Sequence, residues 1–101
     1  MRNFKGIVEL LSYELSMIFI ENDGSYKSTE PIDDFMLEIT LTIDSQDNVI
    51  NVHANLHGSN VEITTGTFVD GNSYQSLYNK IRDISEKAES VVNTVNEFQT
   101  I

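Results

Sequence analysis

The strongest constraint on the fold of this chain is a regular alternation of apolar and polar side chains in its central third. Apolar residues occupy every second position in two runs: Phe35, Leu37, Ile39, Leu41 and Ile43, then Ile50, Val52, Ala54 and Leu56. This two-residue period is typical of a strand with one buried face. A third run begins at Val61. The sequence therefore predicts strands over about 35–43, 49–57 and 61–69.

Two turns fix how these strands pair. A turn centred on Gln46-Asp47 joins the first two strands, and a two-residue turn at Gly58-Ser59 joins the second and third. The resulting pairs are Ile43 with Ile50, Leu41 with Val52, Ile39 with Ala54, Leu37 with Leu56, Leu56 with Val61, Ala54 with Ile63 and Val52 with Thr65. A slip by one residue would move every apolar side chain to the wrong face. We expect an antiparallel meander.

Helical periodicity flanks this predicted sheet on both sides. Apolar residues at intervals of three and four predict helices over about 3–20 and about 73–100. Asn22-Asp23-Gly24 would end the first helix, because glycine accepts the left-handed conformation that closes a helix. A short strand over Met17–Glu21 is the alternative, and residues 22–34 would form a polar connection.

These elements predict an α+β fold in a single domain that spans residues 1–101. It consists of an N-terminal helix, a three-stranded antiparallel β-meander and a long C-terminal helix packed on one sheet face. The C-terminal helix would be about 42 Å long, whereas nine-residue strands span about 30 Å. Its overhanging residues Val91, Val95 and Phe98 are therefore the candidate interface of a homodimer. The alternative is a kinked helix that packs wholly within the monomer.

The charge pattern restricts the partners of the chain. The formal net charge is -10, and no lysine or arginine occurs between Ser28 and Asn79. Direct binding to nucleic acid is excluded, because that binding depends on lysine and arginine contacts with phosphates. A basic protein is the expected partner. The candidate partner-binding residues are Asp23, Glu30, Asp33, Asp34, Asp44 and Asp47.

We expect these acids at the two ends of the sheet, with a largely neutral face between them. One group, Glu21 to Asp34, would lie beside the Gly58-Ser59 turn, and Asp44, Asp47 and Asp70 would lie at the opposite end. The alternative is that the acids only keep the protein in solution. His53 would lie at the centre of the neutral face, between Thr40 and Thr64.

No motif for catalysis or for a cofactor is found. The chain has no cysteine, and its two histidines, His53 and His57, would lie about 13 Å apart along a strand, too far apart to bind one metal. The acidic turns do not match a calcium-binding loop, and no phosphate-binding loop or nucleophile motif occurs. We expect a non-enzymatic protein without a cofactor or metal. Acids interrupt the N-terminal apolar run at Glu9 and Glu14, so we also expect a soluble, cytoplasmic protein.

Two functional hypotheses follow. In the first, the chain is an acidic inhibitor that occupies the basic nucleic-acid-binding surface of an enzyme. It resembles anti-CRISPR proteins, anti-restriction proteins and the immunity partners of nucleases in size, acidity and the order helix, meander, helix, and it carries no motif of these classes. In the second, the chain is a homo-oligomeric structural or adaptor module that assembles through the C-terminal helix.

Overall fold

The computed structural model describes residues 4–44, 46–58 and 60–99 and contains two helices and one antiparallel sheet. The elements follow in the order α1 (Phe4–Leu15), β1 (Ile20–Asn22), β2 (Ser25–Ile32), β3 (Phe35–Asp44), β4 (Val49–Gly58), β5 (Val61–Asp70) and α2 (Tyr74–Gln99). The strands lie in the sheet in their order along the chain. The α+β class agrees with the sequence prediction, but the strand count does not.

The prediction of three strands is wrong, because the sheet has five. The two additional strands, β1 and β2, occupy the predicted end of the first helix and the predicted polar connection. Asp23 and Gly24 both have positive φ angles, of 52° and 82°, as in the type I′ turn that joins two antiparallel strands. Asp23-Gly24 is thus a hairpin turn and not a helix stop.

The sequence did not predict β2 because half of its inward-facing positions are polar. The register places Tyr26, Ser28, Glu30 and Ile32 opposite apolar residues of β3. Only two of these four side chains are apolar, so the two-residue period is weak. Pro31 also argues against a strand, but it lies on the part of β2 that the three-residue β1 does not reach. Its missing N–H therefore removes no hydrogen bond between β1 and β2.

Helix α1 ends at Leu15, five residues before the predicted end. Ser16 has a left-handed φ of 53°, and the Met17 N–H donates to the Ser12 carbonyl oxygen at 3.0 Å. This is the six-to-one hydrogen bond that closes a helix when the residue after its last turn is left-handed. The chain can then turn into β1, which starts at Ile20.

The predicted pairing of β3 with β4 is confirmed, whereas that of β4 with β5 differs by two residues. Ile43 lies opposite Ile50, as expected. Leu56, however, lies opposite Ile63 and not Val61, because Gly58 pairs with Val61 and the turn falls one residue later than predicted. A shift of two residues keeps every side chain on its predicted face. Ser59 lies outside the described residues.

The hydrophobic core lies between one face of the sheet and the two helices. The inward-facing residues of β3 and β4 are buried, together with Val8 and Leu11 of α1. Helix α2 contributes a stripe with the spacing of a helix face: Leu77, Ile81, Ile84, Ala88 and Val92. Within the described part of the chain, no helix is both long and apolar enough to cross a membrane.

Candidate protein-binding surfaces

The acidic residues divide between the two ends of the sheet, but not as the sequence predicted. The Asp23 end contains the β1–β2 turn, the β3–β4 loop and the residues between β5 and α2. The Asp33 end contains the β2–β3 and β4–β5 turns. Asp23 was expected near Asp33, but β2 spans the sheet between them. The missed hairpin therefore places Asp23 with Asp44, Asp47 and Asp70.

At the Asp23 end, two carboxylates shape the loops that carry them. Oδ1 of Asp44 accepts the backbone N–H groups of Gln46 and Asp47, at 3.1 and 3.3 Å. Oδ1 of Asp70 accepts the N–H of Asn72 at 2.9 Å. Such contacts are typical of aspartates that stabilise turns. These two side chains thus have a structural role, although their charges also add to the potential at this end.

At the Asp33 end, four carboxylates line a cleft of about 410 Å³ between the end of α1, β2 and α2. We call this the acidic cleft. It is lined by Leu15, Met17, Glu30, Pro31, Ile32, Asp33, Arg82, Ser85, Glu86 and Glu89. Glu30 and Asp33 come from β2 and its turn, as the sequence predicted for partner binding. Asp34 lies in the same exposed turn but does not line the cleft.

Glu86 and Glu89 were not among the predicted site residues. Glu86 forms an ion pair with Arg82, four residues earlier on the same helix, with Nε and Oε1 3.4 Å apart. The helix side that carries Glu86 and Glu89 nevertheless faces β2 across the cleft. The three-residue spacing of these two acids was the available signal, since residues three apart share a helix face.

Most carboxylates in the acidic cleft have no cationic partner among the residues that the structure describes. Arg82 is the only cation among the described residues that line it, and Arg82 pairs with Glu86. Oδ2 of Asp33 accepts a hydrogen bond from the Asn96 amide at 3.0 Å, which positions the carboxylate without neutralising it. In the described ranges, neither Glu30, Asp33 nor Glu89 forms an ion pair. The cleft therefore carries three negative charges on a concave surface that no cation of the described chain pairs with.

The remaining three candidate acids, Asp23, Asp34 and Asp47, are exposed. None of them forms an ion pair with another residue that the structure describes. None of the six predicted partner-binding carboxylates is therefore paired with a cation of the described chain, although Asp44 accepts two backbone hydrogen bonds. They form two separate surfaces, one at each end of the sheet, and not one continuous patch.

The sheet face away from the helices is less neutral than predicted, because it carries a three-membered charge cluster. Glu38 lies between Lys27 of β2, whose Nζ is 2.5 Å from Oε2, and His57 of β4, whose Nε2 is 3.0 Å from Oε1. Hydrogen bonds, first from Lys27 and then from His57, lower the pKa of Glu38 below its ordinary value, against the smaller opposing effect of burial. Lys27 could not be placed here without β2.

His53 lies on this same face, opposite Thr40 as predicted, but opposite Gly66 where Thr64 was expected. It is exposed. Among the described residues, no group of three or more histidine, aspartate or glutamate side chains is placed to hold a metal ion.

The three predicted dimer-interface residues have different surroundings. Val91 and Val95 are partly buried and pack against the core, whereas the Phe98 side chain is 73% exposed. Val92, between the first two, is fully buried. The end of α2 thus packs within its own monomer as far as Val95, and self-association through this helix stays a prediction.

Comparison with known proteins identifies no relative of this chain. No protein-family model matches the chain, and neither the curated proteins nor the solved structures contain a significant match.

Proposed function

We propose that this chain is a non-enzymatic, cytoplasmic protein that binds a basic surface of another protein. The partner is a nucleic-acid-processing enzyme, and binding inhibits it by occupying the surface that would hold nucleic acid. The observation that supports the proposal is the acidic cleft, in which Glu30, Asp33 and Glu89 surround a concave surface without a cationic partner in the described chain.

Both the charge and the shape of the acidic cleft favour a basic partner. A cleft lined by charges of one sign concentrates the electrostatic field and raises the rate at which oppositely charged groups arrive. Its volume of about 410 Å³ can admit lysine or arginine side chains from a partner. The apolar residues Leu15, Met17 and Ile32 in its wall can contact the aliphatic part of such a side chain while the carboxylates bind the charged end.

The proposal predicts binding that depends on both salt and position. Tagged protein is used to capture partners from cells at low and at high ionic strength, and affinity for each purified partner is then measured. The double variant Asp33→Lys with Glu89→Lys should weaken binding by at least about 10-fold, because two attractions become repulsions. Asp23→Lys with Asp47→Lys is the matched control, since it changes the net charge equally at the opposite end.

Competition with nucleic acid tests the inhibitory part. Oligonucleotides that bind the enzyme should displace the protein from it, and the protein should reduce the enzyme's activity on those oligonucleotides. Binding that is insensitive to salt would contradict the electrostatic model. Equal losses in both double variants would show that net charge, and not the cleft, is responsible.

A further inference from the structure

The two edges of the sheet differ sharply in how well they are protected. At one edge, β1 is only three residues long, and Pro31 lies on the stretch of β2 beyond it. At the other edge, β5 is ten residues long and contains neither proline nor lysine. A long edge strand presents a row of backbone groups ready to pair with another strand, and proteins usually block such edges with these two residues or with short strands.

β5 is also poorly covered on its faces. Seven of its ten residues, including all five from Glu62 to Gly66, are exposed, so part of each face is open to solvent. Ile63 points toward the helix-covered face and is nevertheless 44% exposed, because α2 covers this strand only in part. Phe68 points to the other face and is 66% exposed. The apolar side of the sheet thus continues beyond the area that the monomer covers.

An apolar groove of about 280 Å³ runs between β5 and α2. Its floor and walls include Leu56 and Ile63 of the sheet and Ile84, Ala88 and Val91 of the helix. Lys80, Asp83 and Lys87 of α2 also line it, and Lys87 pairs with Asp83 at 3.2 Å. A strand added beside β5 would extend the floor of this groove.

We propose that β5 pairs antiparallel with β5 of a second copy of this chain, around a two-fold axis at Thr65. This register places Thr65 opposite Thr65, Ile63 opposite Thr67 and Val61 opposite Val69 on the helix-covered face. On the other face it places Glu62 opposite Phe68 and Thr64 opposite Gly66. Nine residues of each strand, 61–69, are paired, and the two sheets become one continuous ten-stranded sheet.

Charge and strand length select this register among the symmetric ones. Side chains of paired residues must lie on the same face, so the axis can move only by whole residues along the strand. Centring it on Gly66 would place Glu62 opposite Asp70, two like charges in a destabilising cross-strand pair. Centring it on Thr64 would leave Phe68 and Val69 without partners. Only the Thr65 register pairs nine residues and keeps the acids apart.

The edge of β5 alone does not provide the area that a stable dimer requires, so the proposed interface must also use the surface beside β5. A ten-residue strand edge about 33 Å long and about 10 Å deep buries roughly 660 Å² when both copies are counted. A specific interface usually needs about 1,000 Å² or more. The groove beside β5 provides further apolar surface along the same line, which the strand edge alone lacks.

Self-association of a chain with a net charge of -10 has a recognisable salt dependence. Each copy repels the other, and salt screens this repulsion. The dimer should therefore tighten as ionic strength rises. Docking to a basic partner through the acidic cleft should weaken instead, so failure of one proposal can be distinguished from failure of the other.

The test uses opposite charges at the two-fold axis. Thr65→Lys places two lysines opposite each other, and Thr65→Glu places two glutamates there. Each variant alone should therefore be a monomer of about 11.4 kDa in size-exclusion chromatography with light scattering. The parent should have twice that mass. An equimolar mixture of the two should form a heterodimer, because the pair at the axis is then attractive. Thr29→Lys, an exposed threonine on β2, is the matched control and should stay dimeric.

Recovery of the heterodimer also shows that both variants fold. A parent chain that remains monomeric at about millimolar concentration, or a mixture that remains monomeric, would overturn the proposal. So would a dimer that survives Thr65→Lys and is lost in Phe98→Asp, since association would then proceed through the C-terminal helix. Thr65→Cys gives an independent readout: the chain has no other cysteine, and the variant should form a disulfide-linked dimer under mild oxidation.

Discussion

At the scale of single residues, Glu38 shows how a side chain's role depends on a neighbour that the sequence pattern did not reveal. Its position on the open face and its place opposite Asn55 follow from the alternation of β3 and β4. Its cation Lys27 lies on β2, where polar inward residues hide the strand. The ion pair between Lys27 and Glu38 therefore could not be predicted, because the sequence pattern did not place Lys27 on a strand beside β3.

The lowered pKa of Glu38 predicts a pH-dependent contribution to stability. Because the folded-state pKa lies below the ordinary 4.5, the contribution is complete above that value and is lost as the pH falls through the folded-state pKa. Glu38→Gln should therefore lower the free energy of unfolding by up to about 1 kcal/mol near pH 7, and the difference from the parent should shrink as the pH falls below 4.5. Urea unfolding at several pH values measures this.

Glu62→Gln is the control for that series. Glu62 is an exposed residue of β5, opposite His57 of β4, and it forms no ion pair with the residues that the structure describes. Its substitution should leave the pH dependence of stability unchanged. A Glu38→Gln difference that is constant with pH would mean that the cluster with Lys27 and His57 does not hold the carboxylate in its charged form.

At the scale of elements, the predictable parts are those in which burial imposes a regular period. β3 and β4 each have one fully apolar face, so both their existence and their register could be predicted. The spacing of apolar residues by three and four predicted α2. β1 and β2 could not be derived, because β1 is exposed throughout and β2 buries Ser28 where an apolar residue would mark the pattern. Their only strong signal was the Asp23-Gly24 turn, which also fits a helix end.

The β4–β5 hairpin depends on a glycine that has no room for a side chain. Gly58 has a φ of 151°, and a Cβ at this position would lie 2.7 Å from the Asp34 carbonyl oxygen and 2.9 Å from the Phe35 Cα. Gly58→Ala should therefore lower the free energy of unfolding by about 2–4 kcal/mol, from backbone strain together with the clash. Gly24→Ala is the matched comparison, because Gly24 also has a positive φ but nothing lies within 4 Å of its Cβ position.

Gly24→Ala should cost only about 1 kcal/mol, the usual penalty of a left-handed alanine. Chemical denaturation of both variants gives the two values. Equal costs would show that the close approach of the β2–β3 turn to Gly58 is relieved by a small backbone movement, and that only the dihedral angle matters at either position.

At the scale of the whole molecule, the composition predicted the sign of the partner surface but not its shape. The excess of acids and the cation-free segment are visible in the sequence. The acidic cleft is not, because it is formed by the turn after β2 and by one side of α2, which are more than 50 residues apart in the chain. The hairpin that moved Asp23 to the opposite end also divided one predicted acidic group into two.

This distribution predicts that salt stabilises the folded chain. Of the four ion pairs that join described residues, one includes a histidine and all involve partly exposed side chains, so screening them costs little. The uncompensated carboxylates of the acidic cleft and of the Asp23 end repel one another, and a Debye length of about 8–10 Å at physiological ionic strength screens that repulsion. The midpoint of urea unfolding should therefore rise as NaCl is added, by on the order of 1 kcal/mol in the free energy of unfolding. Measurement at two protein concentrations separates this effect from dimer formation. The double variant Asp33→Asn with Glu89→Gln removes two of the charges, so it should be more stable than the parent at low salt and its stability should respond less to NaCl. Stability that falls as salt is added would instead mean that attractive pairs, and not the crowded carboxylates, dominate the electrostatics of the fold.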